Sequence, residues 1–233
     1  MSSIMHSESR EQHALFSPSQ PSWVGYSEEE FIQALKNKFR AELGTEIHEY
    51  ASHQIKLGHK QTSAKNILKE VETQIFNKYY IEECNDKGEY VQRLTIHGND
   101  LLMNLKYIPA ECYESVKTFI NDAVGYKMDS EKRVYYSRYF WGTTDAIKYD
   151  SASGLLRIHD LKTGIKPASF DQLAVYASLF CLEKTIKPET CQFELRIYQN
   201  DDISVDEPDS KTIREIMDII IKRQSLINKI VRM

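Results

Sequence analysis

The sequence predicts an α/β fold, a mixed central sheet flanked by helices in the order α-β-β-β-α-β. Apolar residues recur at helical spacing from Phe31 to Tyr50 and again after Ser169. Between these two helices, residues 133–161 contain three strand-like segments rich in aromatic and β-branched residues. A fourth alternating segment, residues 192–199, follows the second helix. We therefore expect an α/β core with inserted and C-terminal helices.

The helices of the N-terminal half have clear start and stop signals. Ser27 precedes three glutamates, and Glu30 stands where a capping box places the side chain that reaches back to the cap. Gly58 is expected to end this helix. A second helix carries apolar residues on one side over residues 64–75, and a third begins after Pro109.

The strand segments are separated by residues that favour turns. RVYYSRYF begins at Arg133, TTDAIKY follows Gly142, and LLRIHDL follows the turn residues 151–154. Because so short a turn joins the second and third segments, we expect these two strands to pair.

The C-terminal part is expected to alternate helix, strand, loop and helix. Ser169, with Gln172 three residues later, is typical of a capping box that opens a helix running to about Lys184. After the strand QFELRIYQ, the segment NDDISVDEPDS is expected to be an acidic loop. A last amphipathic helix is expected over residues 211–230.

Length and composition favour one domain with appendages. The chain has 233 residues, of which 41% are hydrophobic and 27% charged, as in ordinary globular proteins. Residues 1–26 are expected to form a flexible N-terminal arm, and residues 27–233 a single domain with a helical insertion at about 59–132. No apolar run is long enough for a membrane span and no secretory signal is present, so we expect a cytoplasmic protein.

Two acidic residues and a lysine are candidates for chemistry. Asp160 and Lys162 lie two apart on a strand and so share a face, and Asp145 lies in the strand expected to pair with it. Neighbouring carboxylates repel unless a cation lies between them, and their oxygens suit Mg²⁺ or Mn²⁺. Lys162 would position water and neutralise charge on a phosphate. An Asp-x-Lys triplet alone is also compatible with a solvated ion pair at a strand end.

Four motifs that follow one another in a fixed order identify a fold and an activity more specifically than the Asp-x-Lys triplet does. GTEIHEY at 44–50 precedes GTTDAI at 142–147, IHDLKTG at 158–164 and QLAVY at 172–176. Together they resemble the signature of the RecB-like and phage-recombination exonucleases of the PD-(D/E)XK nuclease superfamily. The resemblance implies the restriction-endonuclease-like core of that superfamily, which has the same order of helices and strands. The motifs cover under a quarter of the chain, and residues 59–132 match no motif of that group.

The resemblance implies roles for individual residues. Those implied as metal ligands, for Mg²⁺ or Mn²⁺, are His48, Asp145 and Asp160. Those implied as catalytic are Asp145, Asp160, Lys162, Gln172 and Tyr176. Simpler interpretations stay open: a partly buried histidine at His48, a helix-capping role for Gln172, and core packing for Tyr176.

The implied function is a Mg²⁺- or Mn²⁺-dependent DNA exonuclease of phage-type recombination or DNA end processing, in a bacterial or phage-infected cytoplasm. By resemblance alone, a single-strand annealing recombination protein is the implied partner. The alternatives are an endonuclease of restriction or junction-resolving type on the same fold, and a catalytically silent nucleic-acid-binding or interaction protein. Cleavage polarity, strand preference and oligomeric state are open.

The cysteines indicate no metal cluster. Some RecB-like nucleases bind an iron–sulfur cluster through four cysteines, whereas only Cys181 and Cys191 lie in the C-terminal half of this chain. Neither these two nor Cys84 and Cys112 form a CxxC pair. We therefore expect no iron–sulfur cluster and four free thiols.

A DNA surface would have to be local, because the net charge is −4. Between Lys127 and Lys166, eight Lys or Arg residues face five Asp or Glu residues, a balance of +3. Candidate phosphate contacts are Arg133, Arg138, Lys148, Arg157 and Lys166. Candidate base-stacking residues are Tyr135, Tyr136, Tyr139, Phe140 and Trp141, of which alternation predicts that at least half are core.

Overall fold

The computed structural model describes residues 16–84, 88–164 and 166–231. Contacts divide the chain into two compact units, and the boundary falls within the first long helix, between Ile47 and His48. The first unit also includes residues 68–109, and the second includes residues 48–67 and the chain from Ala110 onward. None of the helices in the described ranges is long and apolar enough to cross a membrane.

The first long helix, α1 (Glu28–Leu57), starts at the predicted capping box. The Ser27 backbone N–H donates to Glu30 Oε2 at 2.8 Å, and the Glu30 N–H donates to Ser27 Oγ at 3.2 Å. Gly58, with φ of 70°, follows its last residue, so both predicted ends are confirmed. Of the predicted arm, residues 1–15 lie outside the described residues, while the ring of Phe16 stacks on that of Phe31 with centroids 4.4 Å apart.

The region after α1 is not wholly helical. Helix α2 (Ala64–Tyr79) leads into an antiparallel hairpin of β1 (Tyr80–Cys84) and β2 (Tyr90–Leu94). Helix α3 (Ile96–Asn104) follows, and its cap is Thr95, whose side chain accepts from the Gly98 N–H. The expected helical insertion at about 59–132 therefore also contains a hairpin, whose strands are too short to show a clear period in the sequence.

The second unit contains helix α4 (Ala110–Gly125) and a five-stranded mixed sheet. Its strands lie in chain order, parallel between the third and fourth and antiparallel elsewhere. The strands are β3 (Asp129–Ser137), β4 (Phe140–Asp150), β5 (Leu155–Leu161), β6 (Gln192–Gln199) and β7 (Asp202–Asp206). Helix α5 (Asp171–Lys184) connects the parallel pair, and α6 (Ser210–Val231) ends the described chain. The predicted α/β class with flanking helices is confirmed.

Two details of the strands differ from the expectation. The aromatic segment expected as one strand is divided by the β3–β4 turn, and β3 begins four residues earlier than expected, at Asp129. The expected acidic loop contains β7, an exposed edge strand. Asn200 and Asp201 have φ of 53° and 58°, the left-handed conformation of a two-residue hairpin turn, and this turn starts the extra strand.

The main core of the second unit lies between the sheet and helices α5 and α6. Its buried side chains come from every strand except the edge strand β7, and include Val134, Ile147, Leu156, Ile158, Leu173, Ala177, Leu195, Ile213 and Met217. This packing fixes the end of β5 against the start of α5, which brings the candidate site residues together. No cysteine of the described residues forms a disulfide, and Cys112 and Cys181 are buried.

Candidate active site

Two carboxylates face each other across β4 and β5. Ala146 pairs with His159 and Ile147 with Ile158, and the same antiparallel register places Asp145 opposite Asp160. The predicted pairing of these strands is confirmed. Asp160 is 4% exposed, and Asp145 Oδ2 accepts a hydrogen bond of 2.8 Å from the Leu161 N–H.

A chain of polar contacts runs from this pair to α5. Lys162 Nζ lies 2.9 Å from Asp160 Oδ2 and donates to Asp160 Oδ1 at 3.2 Å. The same ammonium donates to Gln172 Oε1 at 3.0 Å, and Gln172 Nε2 donates to the Tyr176 hydroxyl at 3.0 Å. The four side chains thus form one connected set, although they come from a strand end and two helical turns.

His48 joins the other carboxylate. It lies on α1, and its Nδ1 is 3.4 Å from Asp145 Oδ2. Burial lowers the pKa of His48, but the hydrogen bond to Asp145 and the charges of Asp145, Asp160 and Glu131 raise it more, so the net pKa lies above the ordinary value. The imidazole is therefore held beside a group of negative charges.

The charge on Asp160 is poorly stabilised. Burial and repulsion from Asp145 raise the pKa of Asp160 to about 6, and Lys162 and His48 offset only part of this rise. Its Oδ2 lies 2.9 Å from the Lys162 ammonium, so this one cation is shared by both oxygens of the carboxylate.

The donor types fit a hard divalent cation. Two carboxylates and an imidazole are present, and oxygen and imidazole donors of this kind bind Mg²⁺ or Mn²⁺. In the described part of the chain, no group of three or more His, Cys, Asp or Glu side chains is close enough to hold a metal ion. Instead, His48 is paired with Asp145 and Lys162 with Asp160.

The start of α5 differs from the expected capping box. The helix begins at Asp171, its cap residue is Phe170, and no side chain caps it. Ser169 Oγ instead donates to Asp171 Oδ2 at 2.8 Å. The capping interpretation of Gln172 is therefore wrong, because Lys162 and Tyr176 occupy its amide group.

The Tyr176 ring is held against the sheet while its hydroxyl binds Gln172. A Cβ at Gly142 would lie 2.6 Å from Tyr176 Cε1, so only glycine allows this approach. Tyr176 also packs against the main core. Core packing and membership of the polar set therefore hold together for this residue.

A third carboxylate, Glu131, is not among the residues expected from the sequence. Ser130 pairs with Ala146 and Lys132 with Thr144, so the register of β3 places Glu131 opposite Asp145. Burial and repulsion from Asp145 raise the pKa of Glu131, and His48 opposes this rise. No motif marks Glu131; an earlier start for β3 and the hairpin register would have located it.

The hairpin of β3 and β4 carries an exposed aromatic surface. Tyr135 pairs with Trp141 across the strands, and the Arg133 guanidinium carbon lies 4.9 Å and 4.2 Å from the centroids of these two rings. Both rings are more than 40% exposed. Tyr136 and Phe140 pack against the core, whereas Tyr139 is exposed like Tyr135 and Trp141. The prediction that at least half of these five rings are core is therefore wrong, since only two are.

Arg157, one of the residues expected to contact a phosphate, is paired with another side chain of the protein. Arg157 Nε donates to Glu194 Oε1 at 3.0 Å, and its guanidinium lies 4.5 Å from the centroid of the Tyr126 ring. Arg157 is therefore paired within the protein, and its contact with a phosphate stays a prediction.

Arg157 belongs to a second polar cluster, around the buried His159. His159 Nδ1 lies 3.1 Å from the Tyr198 hydroxyl, which donates to Asp122 Oδ2 at 2.8 Å. Arg196 donates to Asp122 Oδ2 at 3.2 Å, and its Nε lies 3.0 Å from Glu194 Oε1. Burial lowers the pKa of His159, which keeps the imidazole neutral.

Comparison with known proteins found no matching family model, no matching curated protein and no matching solved structure.

Proposed function

We propose that this chain is a Mg²⁺- or Mn²⁺-dependent deoxyribonuclease of the PD-(D/E)XK superfamily, acting as an exonuclease in recombination or DNA end processing. The observation that carries the proposal is the facing pair Asp145 and Asp160, with Lys162 linking Asp160 to Gln172. A structural ion pair at a strand end would need neither the second carboxylate nor the bond to Gln172.

Each residue has a role in this proposal. His48, Asp145 and Asp160 would hold the cation, which when bound would polarise the scissile phosphate and acidify a water molecule. Lys162 lies between Asp160 and the amide of Gln172, where it would orient the attacking water and neutralise charge on the phosphate. Gln172 fixes the Lys162 ammonium, and Tyr176 fixes Gln172.

The aromatic surface of the hairpin supports DNA as the substrate. Exposed rings flanked by a guanidinium stack on the bases of single strands and attract their phosphates. We expect Trp141→Ala to weaken single-strand binding by about tenfold, because one stacked base is worth roughly 1–3 kcal/mol. Fluorescence anisotropy with a labelled oligonucleotide would measure this, with the core-packed Phe140→Leu as the control.

The test of the proposed function uses DNA substrates with and without ends. End-labelled linear DNA and covalently closed circular DNA are incubated with Mg²⁺, with Mn²⁺ or with a chelator. Nucleotide release from linear DNA alone supports an exonuclease, and linearised circles support the endonuclease alternative. Binding without cleavage under all conditions would support the silent interaction protein and contradict the proposal. A single-strand annealing partner stays a proposal from the resemblance alone.

A further inference from the structure

An open cavity lies between the tip of the β3–β4 hairpin and the last turns of α6. Its volume is about 320 Å³, at the lower end of the range of roughly 300–1,000 Å³ for small-ligand sites. It is lined by Ser137, Arg138, Tyr139, Gln224, Asn228 and Val231. The lining thus offers an aromatic ring, a guanidinium, a hydroxyl and two carboxamides, and no carboxylate. This chemistry fits a ligand that has acceptor groups and negative charge.

Hydrogen bonds orient the carboxamides of the cavity. Ser137 Oγ donates to Gln224 Oε1, and Gln224 Nε2 donates to Asn228 Oδ1 at 2.8 Å. The side-chain oxygen of Asn228 is thereby engaged, while its Nδ2 makes no hydrogen bond within the described residues. Asn228 therefore offers an N–H donor that a ligand in the cavity can engage.

The charged side chains around the cavity are mostly basic. The Arg138 guanidinium donates to the Tyr139 hydroxyl, its carbon lies 4.6 Å from the centroid of that ring, and it is paired with no carboxylate of the described residues. Glu183, an acid that contacts the hairpin backbone, is itself paired with Lys184. The part of α6 from residue 219 to residue 231 contains no acid and three bases, Lys222, Arg223 and Lys229. An anion in the cavity would therefore lie in a favourable potential.

The cavity adjoins the exposed aromatic surface of the same hairpin. Tyr139 is 41% exposed and lies two residues from Trp141, which is at most about 7 Å along the backbone. Trp141 is exposed beside the Arg133 guanidinium, just as Tyr139 is exposed beside that of Arg138. Rings of this kind stack on bases, and the guanidiniums beside them attract phosphates.

We propose that this cavity binds one nucleotide of a single-stranded DNA segment, next to the nucleotide that stacks on Trp141. In this arrangement Tyr139 stacks on the base and Arg138 pairs with the phosphate. The Asn228 amide donates to an acceptor of the base. The inference rests on the proposed function and extends it, because it gives the substrate a contact on the hairpin tip and α6, apart from the facing carboxylates.

The test measures binding of a fluorescein-labelled oligothymidylate to the purified full chain by fluorescence anisotropy, in chelator so that no cleavage occurs. Asn228→Asp keeps the oxygen that accepts from Gln224 and replaces the free N–H donor with a negative oxygen, so the affinity should fall about fivefold or more. Ser225→Asp is the matched control. It adds the same charge one turn earlier on α6, at an exposed residue that does not line the cavity, and should change the affinity less than about twofold.

Two variants of the hairpin tip test the base and the phosphate separately. Tyr139→Leu removes the ring and should weaken binding by about tenfold, as expected for the loss of one stacked base. Arg138→Gln should lower the slope of log affinity against log salt concentration by about 0.7, the value of one phosphate contact with a single strand. Melting temperatures show that the variants are folded. Unchanged affinity and an unchanged slope in these folded variants would overturn the inference.

The outcomes separate the inference from the proposed function. If Asn228→Asp and Ser225→Asp bind alike while Trp141→Ala binds weakly, the cavity takes no nucleotide and the proposed function stands. If a polyglutamate peptide binds the wild type as tightly as the oligothymidylate and is weakened by the same variants, the cavity is a site for acidic peptides and the inference is overturned. A wild type that cleaves linear DNA but binds no oligothymidylate overturns the inference alone, and one that does neither overturns both proposals.

Discussion

Consecutive residues of β5, His159 and Asp160, belong to two polar clusters of opposite character. Around His159, the carboxylates of Asp122 and Glu194 are matched by the guanidiniums of Arg157 and Arg196. Around Asp160, burial and the facing Asp145 disfavour the charged carboxylate, and Lys162 and His48 offset this only in part. The first cluster is therefore balanced, and the second is unbalanced because the charge on Asp160 is only partly offset.

The pKa values of Glu194 and Asp160 differ in the same way as the two clusters. His159 and the two guanidiniums lower the pKa of Glu194 to about 2, whereas burial and Asp145 raise the pKa of Asp160 to about 6. A carboxylate with a lowered pKa stabilises the fold when charged, and one with a raised pKa destabilises it. Under the proposed function, the cluster around His159 would serve stability and the cluster around Asp160 would serve chemistry.

The largest expected effect is loss of cleavage on neutralising either facing carboxylate. Asp145→Asn and Asp160→Asn remove charge and little volume, so each should lower cleavage on the order of a thousandfold while the protein stays folded. Single-turnover cleavage of labelled linear DNA in Mg²⁺ and circular dichroism measure the two quantities. Substantial cleavage by both folded variants would remove these residues from the active site.

The balanced cluster should give the opposite result. Glu194→Gln leaves Arg157 and Arg196 without their shared carboxylate, which should lower the free energy of unfolding by about 3 kcal/mol. Cleavage per folded molecule should not change. Glu189→Gln is the control, because it breaks a solvent-exposed ion pair with Arg214 and should change stability little. A stable but inactive Glu194→Gln would contradict the division into two clusters.

The pH dependence of stability should distinguish the two clusters in solution. Because the folded pKa of Asp160 is about 6, the folded protein keeps a proton that the unfolded chain releases near pH 4. The contribution of protonated Asp160 to the free energy of unfolding is fully present below pH 4 and is lost as the pH rises through 6. We expect the wild type to lose on the order of 2 kcal/mol relative to Asp160→Asn between pH 4 and pH 7.

Urea denaturation in chelator at both pH values measures this difference, since the other titrating groups are common to the two proteins. Added Mn²⁺ at pH 7 should then raise the melting temperature of the wild type and not that of Asp160→Asn. Equal pH profiles for both proteins would show that Asp160 titrates normally.

The sequence predicted the facing carboxylates because their positions depend on local signals. Strands β5 and β6 have the predicted bounds, and the turn at Ser151–Gly154 sets the register that places Asp145 opposite Asp160. The alternation of apolar and polar residues and the choice of turn residues are local features. A single sequence therefore suffices to predict the strands and the turn between them.

The parts that the sequence did not predict depend on long-range contacts or on unusual backbone. Tyr198 and Asp122 are 76 residues apart, so nothing local indicates their hydrogen bond. Glu131 lies in the early part of β3, at a left-handed residue that no strand pattern anticipates. The cap of α5 was misassigned because Ser169 binds Asp171 rather than the helix backbone at Gln172.

The smallest expected effect concerns the link between the unbalanced cluster and α5. Gln172 is not a capping residue, so Gln172→Ala should change the free energy of unfolding by about 0.5 kcal/mol or less. It releases the Lys162 ammonium, and single-turnover cleavage should fall about tenfold. Tyr176→Phe keeps the ring against Gly142 and loses only the bond to Gln172, so its defect should be of the same kind and smaller. Melting temperature and single-turnover rates of both variants measure this. Wild-type rates in both would restrict the site to His48, Asp145, Asp160 and Lys162.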